Sequence, residues 1–135
     1  MAVARQLGVV GLDAGSLIGG VALDAVYQIQ AHTASDTLTA VESGKLNTNR
    51  GASGVVLLTL PTAPVAGTWF AFRRIATFAF RVVPPVGVSL RYSSGAMATA
   101  EYLEMAADES GFAAVYDGTD WLLHDELGTL TQETP

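Results

Sequence analysis

Two histidines, His32 and His124, are the only imidazoles in the chain, and there is no cysteine. His124 stands beside Asp125 at the end of a strand-like run. A histidine next to a carboxylate is the base half of a nucleophilic triad, whose third member can come from anywhere in the fold. No serine sits on a nucleophile elbow. Ser53 lies in Gly51-Ala-Ser-Gly54, which lacks the G-x-S-x-G spacing. The missing cysteines remove thiol nucleophiles, Cys-ligated metals and disulfides. Asp117, Asp120, Asp125 and Glu126 crowd one Asp-Gly loop and could offer oxygens to calcium. EF-hand spacing is absent, however, and aspartates in such loops mostly serve the turn. Gly11-Leu-Asp-Ala-Gly15 has neither a dinucleotide-loop order nor a following Lys-Ser/Thr, and Asp13 would repel a phosphate. The inventory predicts no catalytic residue, no metal site and no cofactor.

Residues suited to binding are better represented. Leu7, Val9, Val10, Leu12, Leu17, Ile18, Val21 and Leu23 form an apolar series without a clean period, punctuated by Gly8, Gly11, Gly15, Gly19 and Gly20. Glycine is costly inside a helix, so the spacing predicts an extended arm. Such an arm needs a surface to lie on: either a partner or a neighbouring subunit, for which these eight residues are the expected contacts, or its own domain, around which it would wrap. Arg73, Arg74 and Arg81 are candidate electrostatic contacts with acidic groups of another chain. Trp69 and Trp121 could stack on a sugar, but a strand tryptophan is more often core.

The chain has 135 residues, half of them apolar and 15% charged, with net charge −6. That length fits one domain with an adequate core. All seven basic residues and four acids fall within residues 1–100; residues 101–135 hold nine acids and no Lys or Arg. The acidic balance argues against nucleic acid as a partner. No apolar run is long enough for a transmembrane helix, since Leu17–Val26 is broken by Gly19, Gly20 and Asp24. The same breaks make a poor secretory signal, so synthesis in a cytoplasm is expected.

From Asp36 onward the chain reads as short strands: Thr37–Val41, Lys45–Asn49, Val55–Leu60, Trp69–Arg73, Phe78–Val83 and Val86–Tyr92. Ala96–Ala107 mixes helix-favouring residues with a strand-like Tyr102–Met105. Phe112–Tyr116 and Trp121–His124 flank an Asp-Gly loop and read as a hairpin. About eight strands without βα alternation predict an all-β domain, jelly-roll-like or a β-sandwich. The expected organisation is an arm over 1–30, an all-β domain over 31–128 and a polar, frayed tail over 129–135.

Asn47-Thr-Asn-Arg-Gly-Ala-Ser-Gly54, then Val55-Val-Leu-Leu-Thr-Leu-Pro61, then Gly67-Thr-Trp-Phe70, then Asp117-Gly-Thr-Asp-Trp121 follow one another in order. This series resembles tailed-bacteriophage virion proteins, in which an N-x-G-A-x-G loop precedes a strand ending in L-P, a G-x-x-F strand and a closing D-G-x-x-W hairpin. Arg50, between Asn49 and Gly51, is a small departure. The resemblance spans roughly residues 37–124 and leaves the arm uncovered. Small capsid decoration (cement) proteins have this look. The resemblance implies a structural protein on the capsid surface of a virion, with the major capsid protein and its own copies, as a homotrimer, for partners. The alternative within the same resemblance is a tail-fibre or adhesin-type domain, which would recognise host surface glycans.

Overall fold

A computed structural model describes residues 28–92, 95–98 and 100–133. The eight apolar arm residues from Leu7 to Leu23 lie outside the described residues.

The first six strands are β1 (Gln28–Ala31), β2 (Asp36–Thr37), β3 (Lys45–Thr48), β4 (Val56–Thr59), β5 (Trp69–Arg73) and β6 (Phe80–Val83). They alternate between two sheets. β1, β3 and β5 pair parallel in one, and β2, β4 and β6 pair parallel in the other. Parallel neighbours need a crossover connection, usually a helix. Here each crossover is a strand of the opposite sheet. The remaining strands are β7 (Leu90–Tyr92), β8 (Gly95–Ala96), β9 (Tyr102–Met105), β10 (Gly111–Tyr116), β11 (Trp121–Leu127) and β12 (Leu130–Glu133). They complete a seven-stranded sheet, β1-β3-β5-β10-β11-β7-β8, and a five-stranded sheet, β12-β9-β6-β4-β2. The protein is thus an all-β sandwich with two mixed sheets.

Period-two alternation builds the core. Phe70 and Phe72 of β5 point inward together with Phe112, Ala114 and Tyr116 of β10 and Trp121 of β11. Val56, Leu58, Phe80, Val82, Leu103 and Met105 face them from the five-stranded sheet. Phe72 meets Phe80 across the two layers edge-on, with ring centroids 6.4 Å apart. Trp121 packs on Phe70 and Tyr116 at 5.8 and 5.3 Å. Each large side chain buried this way contributes roughly 1.5–3 kcal/mol. Gly111 is dictated by packing: a Cβ there would lie 2.4 Å from the Phe72 carbonyl oxygen on the adjacent strand.

Buried polar groups pin the loops. Asn49 Oδ1 accepts hydrogen bonds from the amides of Ile75 and Ala76, at 2.8 and 2.9 Å, and its Nδ2 donates to the Phe78 carbonyl at 3.0 Å. Asn49, the first residue of the N-x-G-A-x-G stretch, therefore holds the loop between β5 and β6. Arg74 completes that clamp by donating to the carbonyls of Ala76, Thr77 and Met105. His32 and Asn47 are bonded at 2.8 Å, Nε2 to Oδ1, beneath β1.

Several elements differ from the expected ones. The strand expected over Thr37–Val41 stops at Thr37, and Ala40–Glu42 forms a 3-10 turn. Glu42 bends back to accept from the Thr39 amide and hydroxyl at 2.9 and 2.8 Å. Burial pushes the Glu42 carboxyl up, but hydrogen bonds from Thr39 and Gln30 and the nearby Lys45 charge outweigh it, holding the group below its ordinary range. The tail is not frayed over Leu130–Glu133, which pairs antiparallel with β9. Thr129 is anchored by its amide to Ser110 Oγ at 3.0 Å. Tyr102–Met105 is a strand, and Met97 is buried.

Candidate docking face on the seven-stranded sheet

The residues that alternate with the core on β5 and β10 turn outward. By register, Ile29 of β1, Leu46 of β3, Ala71 of β5, Ala113 of β10 and His124 of β11 make one row across five strands. Trp69 and Val115 are partners in the adjoining row. Nothing among the described residues lies over this face. It holds an open hollow of about 530 Å³, mostly apolar, with Trp69, Ala71, Ala113, Val115 and Leu127 in its lining. The alanines form a low floor and Trp69 a wall. Ile29, at the β1 margin, is 66% exposed.

Polar groups occupy one side of the hollow. His124 Nδ1 lies 3.0 Å from Asp125 Oδ2. A bulge sets this pair in place: Gly111 opposes Leu127 while Ala113 opposes His124, so β11 carries an extra residue. Asp125 takes a left-handed φ of 54°, which aspartate tolerates better than most residues. Bulges re-aim side chains in this way. The histidine–carboxylate pair named from the sequence is therefore formed in space, at an exposed position.

The three candidate arginines go to three different places. Arg73 lies on the outer face and binds Glu109, with Nη2 to Oε1 at 2.8 Å. Arg74 is only 9% exposed and reaches Asp108 at 3.2 Å as well as its loop carbonyls. Arg81 is on the outside of the other sheet, 2.7 Å from Glu104 and stacked 4.7 Å from the Tyr102 ring centre. The fold does not gather them into one patch. Their partners come from the acid-rich segment 101–135.

Asp117 serves its turn: Oδ1 accepts from the amides of Thr119 and Asp120, both at 2.8 Å. The Asp120 bond, then the Thr119 bond, hold its carboxyl below the ordinary range. Asp120 in turn meets Arg91 at 2.7 Å. Among the described residues, no three His, Asp or Glu side chains are grouped to hold a metal. The two tryptophans divide. Trp121 is fully buried, whereas Trp69 lines the hollow. The face itself was missed from sequence. Its signal was the apolar character of both sides of β5, with Phe70 and Phe72 inward and Trp69 and Ala71 outward.

No protein-family model matches the chain, and no curated protein matches it.

Proposed function

We propose that this protein decorates the capsid of a tailed bacteriophage, binding the outer surface of the major capsid protein and stabilising the head. The carrying observation is an apolar sheet face that starts at β1, the strand entered directly from the apolar leading segment. A rigid sandwich, an apolar face that no described residue covers and an apolar leading segment suit a protein that is fastened onto a protein lattice. The ordered motif series from Asn47 to Trp121 supplies the choice of lattice. Apolar burial at about 25 cal/mol per Å² makes even a modest arm effective when repeated across a symmetric shell. Self-association as a trimer at local threefold axes belongs to the same reading. The work is structural, without catalysis.

Fractionating purified virions into heads and tails, with quantitation of this polypeptide in each, tests the assignment. Recovery with heads is the expected result; recovery with tails overturns it.

One observation favours a second reading, a tail-fibre or adhesin-type domain for host glycans. Trp69 shares the hollow with Arg73, His124 and Asp125, so an aromatic wall stands beside sugar-competent polar groups. Glycan-array binding that Trp69→Ala abolishes would move the assignment there.

A further inference from the structure

The arm and the outer face pose a physical problem for the free subunit. Between Leu7 and Leu23 the chain has eight Leu, Val or Ile residues and one charge, Asp13. The described body offers an uncovered face running from Ile29 to Val115. A soluble protein exposing both would carry an apolar patch large enough to drive association.

We infer that, in the free protein, the segment Leu7–Leu23 packs back over the outer face of its own seven-stranded sheet and fills the hollow walled by Trp69 and floored by Ala71 and Ala113. The occupant follows from where the outside chain ends. Residue 27 joins Gln28, the first residue of β1, and β1 is the margin strand of that sheet. β10 is three strands away, which at the usual spacing is roughly 14 Å. The connection from Leu17 to Gln28 can extend about 36 Å, so the distance is well within reach. Tethering beside the face gives an effective concentration on the order of millimolar, above that of a second copy in dilute solution. Glycines at 8, 11, 15, 19 and 20 let the segment follow the uneven floor. Attachment to another surface then requires exchange: the segment leaves its own sheet, and both apolar surfaces become available together. The inference concerns the free chain and does not depend on which surface finally receives it.

The absence of native cysteine makes the test clean. Leu17→Cys is combined in the full-length chain with Ala71→Cys on the face. A control combines it with Val86→Cys, an exposed position beside the five-stranded sheet. Each variant is treated at low micromolar concentration with a short bismaleimide, and single-chain and multi-chain products are separated by denaturing electrophoresis and peptide mass mapping. The expected result is a single-chain link between positions 17 and 71, forming at least about tenfold faster than the link to position 86. Multi-chain links at position 71 would overturn the inference in favour of arm exchange between copies. Equal rates at the two positions, or no link, would also overturn it. Leu17→Cys with Ala113→Cys repeats the test should Ala71→Cys disturb the sheet. Head-versus-tail recovery is scored on wild-type virions, so either experiment can fail without the other.

Discussion

Ala71 on β5 and Ala113 on β10 are register partners with both side chains turned outward, and together they keep the floor of the hollow low. A charge on that floor would oppose docking without entering the core. Ala71→Glu is expected to shift unfolding stability by no more than about 1 kcal/mol, the scale of strand propensity. It is expected to reduce binding to heads at least tenfold, on the order of the 1.4 kcal/mol cost of an imperfectly buried polar group. Urea titration and co-sedimentation measure the two effects separately.

The Asn49 side chain caps two amides and a carbonyl of the β5–β6 loop, those of Ile75, Ala76 and Phe78. Asn49→Ala empties a fully buried side-chain position and leaves these part-buried groups without their partner. The expected cost is about 1–3 kcal/mol, the scale of a lost hydrogen-bond partner for a buried group and an upper range for groups that water can partly reach. Asn49→Asp keeps the acceptor for Ile75 and Ala76 and should lose less. The order of denaturation midpoints, wild type above Asp above Ala, checks the assignment.

Gly111 leaves no room for a methyl group against the Phe72 carbonyl. Gly111→Ala must spread β5 and β10 or distort their ladder. Overpacking of this kind typically costs about 1–3 kcal/mol. A calorimetric midpoint equal to wild type would contradict the close approach.

Asp117 contributes stability that depends on pH. Its carboxyl is held below the ordinary value by the Asp120 amide first and the Thr119 amide second. A depressed folded-state value means the stabilisation is present above the ordinary carboxylate value, near 3.8. It is lost as pH falls through the lower folded-state value. Asp117→Asn keeps the turn acceptor but removes the charge. The melting temperature of wild type should exceed that of the variant at pH 7, and the gap should close toward pH 2.

Much of the sandwich was legible because strands advertise themselves locally. Phe70 and Phe72 alternate with Trp69, Ala71 and Arg73, and VVLLTL ends at Pro61, as period-two patterning requires. The pairing was not legible. Gln28 to Ala31 meets Lys45 to Thr48 in parallel only because β2 crosses to the other sheet between them, and no local signal encodes that crossing. The 3-10 turn depends on Glu42 bonding back to Thr39, which competes with a strand that Thr37–Val41 would otherwise support. Leu130–Glu133 looked too polar to hold a place, yet an edge strand needs only one partner, and β9 provides it. For the outer face, residue type alone could not separate Trp69 from Trp121. Register decides it: Trp121 falls on the inward phase of β11 and Trp69 on the outward phase of β5.

Rebinding to stripped heads tests the central claim most directly. Heads depleted of this polypeptide are mixed with purified full-length protein, either wild type or carrying Leu12→Asp, Leu17→Asp and Val21→Asp together. Bound protein is then measured after sedimentation. Saturable binding of wild type to heads and not to tails, with loss of binding by the triple variant at unchanged β-sheet circular dichroism, is the outcome the account predicts. Failure of wild type to bind heads, or equal binding by the triple variant, would contradict it.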